Sequence, residues 1–539
     1  MSRFSRSSRL VAILTAGLVL LVPYGPPGAT IDAWGVREPV KSSYVELDIR
    51  NAPGTAYATA GDPATEPFRL VGVTWPYQPD AARVVAKVSV FSEGQWSPWH
   101  RLHVEEEHGP DAGTDAHSRS GTEPLWVGLS TGVQVSLTTT DGQPVRDGKV
   151  VLIDPGASPE DEPARMATAG GEVYDASSGP APFPMPKIVT RQGWGADESL
   201  RSHNGVACAT PRYTSTIRAA FVHHTADSNQ YTKAQSAAMI RSMYAYHVKG
   251  RGWCDLGYNF LVDKYGQAFE GRAGGMHLPV LGAHTGRFNA DSFGVSLIGN
   301  FERAHPSSAM LDMTAQVIAW KMDAYYRSPY GKALINGATF DSISGHRDTK
   351  ATACPGKNVY AKLDDLRKRV SALMGHGAAT PIYRYAKAAG GLGEPFWGEH
   401  PTRAGRSTWF RYGDVYWSRA TGTHSVRGAF RERYRQFGYA YGPLGLPASE
   451  EKDGRRRGTR VQDFQHKGTR AALYWSRSTG VQAMYGVIML HYLRVGGERS
   501  RLGLPTTSPY HVRGGLAQRF QGGRIEWNSR NNRAKVIFR

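Results

Sequence analysis

At 539 residues the chain is too long for one ordinary domain and has room for three or four. With 40% hydrophobic and 11% aromatic residues it is not a disordered polyelectrolyte, despite a formal net charge of +19. That charge is local: residues 381–539 hold 28 Lys and Arg against 10 Asp and Glu, a surplus of +18, so the last third attracts polyanions such as nucleic acid, acidic lipid or anionic wall polymers.

In chain order, Arg3, Arg6 and Arg9 precede an apolar run over 10–22 and a small, Pro-rich stretch over 25–30. This is the pattern of a secretory signal peptide over 1–30, too short in its apolar part to span a bilayer comfortably. No later segment is long and apolar enough to do so, which predicts no transmembrane anchor after signal removal. Residues 36–155 read as short strands at 68–74, 83–91, 125–129, 132–138 and 149–153, spaced for a small β-sandwich. Trp75, Trp96, Trp99 and Trp126 are expected in its core, with a sugar-binding face as the alternative. No catalytic constellation is visible in this accessory domain. Residues 156–186, rich in Ala, Gly, Ser, Pro and acids, are expected to be a linker.

Residues 187–376 alternate strand and helix patterns, which implies an α/β domain around a central sheet. Strands are expected at 217–223, 258–263 and 294–300. Thr232 and Gln235 have capping-box spacing before a helical pattern at Ile240, Met243, Tyr244 and His247, and Thr314 is expected to cap a second helix. The last third, 381–539, repeats. L-G-E-P from Leu392, L-G-L-P from Leu444 and L-G-L-P from Leu502 recur after 52 and 58 residues, with Y-W-S-R from Tyr416 and from Tyr474 between them. Such a period predicts a tandem array of β-rich modules, each burying an aromatic face on its neighbour.

Three side chains from remote points carry the chemistry. His223 ends an apolar strand in F-V-H-H-T-A, and His346 and Cys354 flank a loop in G-H-R-D-T-K-A-T-A-C-P-G. Two imidazoles and a thiolate close three faces of a Zn²⁺ tetrahedron and leave the fourth open, the arrangement of a hydrolytic site. If Cys354 serves the metal, Cys208 and Cys254 remain to pair in an oxidising compartment. That bridge closes a loop of about 45 residues, worth about 4 kcal/mol in the chain-entropy model.

The span from Arg191 to about Tyr360 resembles the peptidoglycan recognition protein and type-2 N-acetylmuramoyl-L-alanine amidase family. The resemblance rests on R-Q-G-W-G-A from Arg191, F-V-H-H-T-A from Phe221, G-W-C-D-L-G-Y-N-F-L-V-D from Gly252 and F-E-G-R from Phe269. L-G-A-H-T-G-R-F-N from Leu281, F-G-V-S-L-I-G-N-F from Phe293 and the His346–Cys354 loop follow in order. It implies a mixed sheet flanked by helices, with zinc held by His223, His346 and Cys354 and His224 in a supporting place. Tyr258 and Thr352 are implied as catalytic donors to the developing oxyanion, and His284 and Asn289 as substrate contacts. Because binding-only members typically lack the thiol, the retained Cys354 implies hydrolysis of the lactyl amide between muramic acid and L-alanine. The alternative is a non-catalytic peptidoglycan sensor or wall scaffold. The C-terminal units resemble LGFP repeats of exported wall proteins, which implies a secreted, wall-associated protein held by basic repeats, with peptidoglycan and anionic wall polymers as partners. Export and the lack of a nucleic-acid fold signature argue against nucleic acid.

Overall fold

The structure, a computed structural model, describes residues 37–52, 55–62, 64–76, 84–104, 109–110, 118–140, 145–171, 180–375 and 379–539. The expected signal peptide lies outside the described residues. Among the described residues no helix is long and apolar enough to cross a membrane.

The described residues between 41 and 154 form two antiparallel sheets. One joins Lys41–Glu46, Lys149–Asp154, Phe68–Pro76 and Arg119–Gly121 in that order, with Leu125–Ser130 also on Phe68–Pro76. The other runs Asp48–Ala52, Thr55–Asp62, Gly132–Thr139, Val84–Ser92 and Gln95–Trp96, with His100–Leu102 also on Val84–Ser92. Successive strand residues face opposite ways. Val71, Val73, Val150 and Leu152 therefore fill the core between the sheets with Val88, Val133 and Val135. Leu70, Val151 and Ile153 face out, yet are just as buried, because the helix Gln235–Ala245 covers them. Gly72 sits under the Tyr246 ring so closely that a Cβ would fall 2.3 Å from it. The Tyr246 hydroxyl donates to the Thr122 carbonyl (2.7 Å), which ties the two domains together. Trp75 and Trp126 are core residues, as expected, whereas Trp99 is 51% exposed.

The central sheet has seven strands in the order Thr168–Ala169, Ile188–Val189, Ala268–Glu270, Phe260–Val262, Ser292–Leu297, Ala219–His224 and Ile343–Gly345. It is mixed: its last four strands are parallel, and the pairings on either side of Ile188–Val189 and Ala268–Glu270 include antiparallel ones. Within the span expected as linker, Thr168–Ala169 adds the edge strand and the Asp161 carboxylate pairs with Arg241 at 2.6 Å. The helices Ser308–Ala324 and Leu363–Met374 pack on one face with Val222, Phe260, Val262, Val295 and Leu297, and Gln235–Ala245 packs on the other with Leu261 and Phe269. Two capping expectations need correction. Ser307, not Thr314, caps the second helix by accepting the Met310 N–H; Thr314 lies inside it, its hydroxyl donating to Met310 O. Only half of the first box forms, with the Gln235 side chain accepting from the Thr232 N–H.

The C-terminal array consists of three four-stranded antiparallel units, starting at Pro395–Thr402, Leu446–Pro447 and Tyr510–Val512, the second also carrying the short strand Lys452–Asp453. The helices Gly428–Gln436 and Gly486–Arg494, not anticipated from the sequence, link them. The L-G-x-P motif is explained by its glycine. Gly393, Gly445 and Gly503 all have φ near +70°, a conformation open to glycine. The carbonyls of Gly445 and Gly503 accept the hydroxyls of Tyr434 and Tyr492 from the helices. Neighbouring units share cores, such as Tyr416, Tyr434, Leu446, Phe464 and Leu473 between the first two.

Candidate metal centre

Strand alternation separates the two adjacent histidines. Val222 and His224 face the helix Ser308–Ala324 side, where His224 Nδ1 accepts the Phe301 N–H (3.2 Å). His223 faces the opposite way. There its ring lies 4.5 Å from that of His346, centroid to centroid. His346 opens a short 3₁₀ turn, His346–Asp348, at the end of Ile343–Gly345, the strand beside His223's own. The Asp348 carboxylate fixes the turn by accepting the Gly345 N–H (2.8 Å). Cys354 returns on a loop closed by Arg347, whose backbone N–H donates to Cys354 O (3.0 Å) and whose guanidinium pairs with Glu302. Parallel pairing at the sheet's end and this loop thus bring three remote residues together.

The ligand atoms of His223, His346 and Cys354 all lie within 4.8 Å of one another, and all three residues are buried. His223 Nδ1 is 3.7 Å from Cys354 Sγ. Zn–N bonds of about 2.0–2.1 Å and a Zn–S bond of about 2.3 Å at a tetrahedral angle span an N···S edge of about 3.6 Å. The site therefore fits Zn²⁺ without rearrangement of that pair. Sγ also accepts the His224 backbone N–H (3.4 Å).

The other four residues singled out in the sequence surround this group differently. The Tyr258 ring is buried 5.5 Å from the His223 ring. Thr352 Oγ1 accepts the Cys354 N–H (3.1 Å) and so shapes the ligand loop. His284 is fully buried with Nδ1 3.0 Å from His223 Nε2. Asn289 Oδ1 accepts the N–H groups of His284 (2.7 Å) and Thr285 (2.9 Å), and its amide donates to the Gly109 carbonyl of the N-terminal domain (2.9 Å). Both residues expected to touch substrate are thus engaged within the protein in this conformation. The R-Q-G-W-G-A motif is scaffolding: Arg191 is buried against Trp194 and Tyr244 and pairs with Asp255 and Glu198, which raises its pKa despite burial. Cys208 and Cys254 form a disulfide, as expected.

Beside the metal loop a cleft of about 1680 Å³ opens between the N-terminal and central domains. Thr352 and Ala353 lie at its edge, while none of the three metal ligands lines it. No local pattern announces this wall, since neither domain alone forms it. Asp227, three residues past His224, joins the two domains beside it. Asp227 Oδ1 accepts the backbone N–H groups of Trp126 (2.5 Å) and Ser228 (2.6 Å), and burial, with Glu123 nearby, pushes its pKa up to about 7.

Three family models match the chain. N-acetylmuramoyl-L-alanine amidase covers residues 213–357, Rv3811 N-terminal galactose-binding domain-like covers 31–169, and LGFP repeat covers 392–442 and 444–500. Peptidoglycan-recognition protein SC2 of Drosophila simulans is 31% identical over 176 residues, 33% of this chain and 84% of that protein. Peptidoglycan recognition protein 1 of Bos taurus is 33% identical over 174 residues, 32% of this chain and 80% of that protein. Among solved structures, wild-type Drosophila PGRP-LB is 25% identical, covering 36% of this chain and 98% of that one with a TM-score of 0.27.

Proposed function

From the premise that this chain belongs to the peptidoglycan recognition protein and N-acetylmuramoyl-L-alanine amidase family, we propose that it is a secreted, zinc-dependent amidase. Its substrate is peptidoglycan, and the bond it cleaves is the lactyl amide between muramic acid and L-alanine. The observation that carries this reading is the buried His223, His346 and Cys354 group, whose spacing suits Zn²⁺. These three residues would hold a zinc ion, which would supply carbonyl polarisation and a water pKa lowered toward about 7.

The chain's own residues do the rest. His284 orients His223 through the Nδ1···Nε2 contact, as the outer partner of a metal-bound imidazole does. Asn289 fixes the His284 loop, so its role is positioning in place of the substrate contact expected from the sequence. Tyr258 supplies a phenol beside the His223 ring to stabilise negative charge on the scissile carbonyl oxygen. Thr352 holds the backbone that presents Cys354. The basic repeats keep the enzyme at the envelope through many weak contacts to anionic wall polymers.

Purified cell walls test this reading. Zinc-loaded protein releases stem peptides with a free L-alanine amino terminus, and both chelation and Cys354→Ala abolish release. A protein that binds walls but cleaves no wall or muropeptide between about pH 5 and 9, where such a site should work, is a sensor instead.

A further inference from the structure

The cleft between the N-terminal and central domains has no part in the chemistry derived above, yet it touches the metal loop. It is lined on one side by Trp99, His100, Arg101 and Trp126 of the β domain, and on the other by Asn229, Asn300, Arg303 and Thr352 among others. Its volume of about 1680 Å³ exceeds the roughly 300–1,000 Å³ of small-molecule sites, so its size suits a polymer. Both basic residues (Arg101, Arg303, Lys350) and acidic ones (Asp227, Glu302) line it, so it is not a polyanion channel.

Two features point to a ligand. Trp99 is 51% exposed on the wall of a domain that buries Trp75 and Trp126, an indole face left open where packing would have taken it. Across the cleft, Asp227 is 1% exposed and its Oδ2 has no protein partner among the described residues. A buried carboxyl oxygen left without a partner is costly unless a ligand or water satisfies it. An exposed aromatic face beside fixed polar groups suits a sugar, whose ring is apolar on its faces and hydroxylated at its edge.

We propose that this interdomain cleft is a glycan subsite, in which the sugar chain stacks on Trp99 and, on binding, a sugar hydroxyl reaches Asp227 Oδ2, which is closed to solvent in this conformation. The inference rests on the amidase reading for one step. The lactyl group is an ether of the sugar itself, so an amide held at the metal places its sugar ring a few bonds away, beside the Thr352–Ala353 edge of the cleft. The N-terminal domain then acts as the second wall of the substrate site, selecting polymeric glycan over free muropeptide.

The test uses the full chain and peptide-free, N-acetylated glycan strands, with binding followed by calorimetry. Wild type is expected to bind, with little change between 50 and 300 mM salt, conditions that would cut a polyanion contact sharply (~10³-fold or more for many phosphate contacts). Trp99→Ala should weaken binding about five- to tenfold, with Trp99→Phe restoring most of it. Asp227→Asn should weaken it without removing the Oδ1 acceptor that joins the domains. Trp99→Ala binding as tightly as wild type, or affinity that collapses with salt, overturns the subsite. The two readings separate cleanly. A wild type that hydrolyses walls but ignores peptide-free glycan sinks the subsite alone, whereas Trp99-dependent glycan binding without hydrolysis sinks the amidase alone.

Discussion

The central domain meets a neighbour on two sides, and each contact buries a carboxyl group that burial pushes up to about 7. On the repeat side, Glu399 faces the Arg406 guanidinium (3.2 Å) and accepts the hydroxyls of Tyr326 (2.8 Å) and Thr380 (2.6 Å). Around it Arg327 pairs with Glu394 (2.7 Å), the Tyr325 hydroxyl donates to Phe396 O (3.0 Å), and Gly398 packs on the Tyr325 ring. On the N-terminal side, Asp227 has two backbone donors at one oxygen, a like charge nearby and an open cleft beside it. The first contact is a filled, cation-bearing joint between the first repeat and the central domain. The second encloses space next to the metal loop. In each carboxyl one oxygen collects the hydrogen bonds, but the second oxygen of Glu399 faces the Arg406 cation, whereas the second oxygen of Asp227 meets no protein hydrogen-bond donor among the described residues and lies beside a cavity, which marks a place for a ligand.

The largest effect that would break this contrast is at the repeat joint. Glu399→Ala leaves Arg406 buried without its counter-charge and should cost about 3–5 kcal/mol, read as an earlier denaturant midpoint, with zinc content unchanged. A change below about 1 kcal/mol would make the joint a passive contact. Next comes the metal side. Tyr258→Phe should lower kcat about 10²–10³-fold at unaltered stability, which steady-state kinetics on soluble muropeptide would show. His284→Ala should weaken zinc affinity about 10–100-fold, measured by competition with a chelator, while a residue that only touched substrate would change KM and spare the metal.

The last effect is read as a slope with pH. The Asp227 carboxyl has its pKa raised in the folded protein from 3.8 to about 7. Between these values the native state holds a proton that the unfolded chain has released. Stability is therefore fully present below about pH 4 and declines as pH rises toward 7, by no more than about 1.4 kcal/mol per pH unit. Asp227→Asn should flatten that slope in thermal melts taken across the range, and a wild-type slope of the opposite sign from this group would refute the assignment.

Much of this was legible in the sequence because it depends on local pattern. The alternating apolar runs placed the strands, the L-G-x-P glycines marked the repeats, and the strand-ending His223 with the His346 and Cys354 loop marked the metal group. What escaped depends on packing between distant parts. Phe68–Pro76 is apolar on both parities, which fits a strand covered on both faces, but nothing local names the helix Gln235–Ala245 as its cover. Trp99 reads like its buried counterparts and only the interdomain cleft sets it apart. His284 and Asn289 sit in a motif that suggested substrate, while the fold turns them toward His223 and its supporting loop. Thr314 has a capping residue's chemistry, but the chain enters the helix seven residues earlier, at Ser307.

The central claim is that His223, His346 and Cys354 of the folded chain grip one zinc ion. Elemental analysis of full-length protein purified without added metal, set beside Cys354→Ser, tests it most directly. One zinc per chain in the wild type and almost none in the variant, both equally folded by circular dichroism, is the result expected. Equal zinc in the two proteins, or none in a wild type that refuses added zinc, would contradict it.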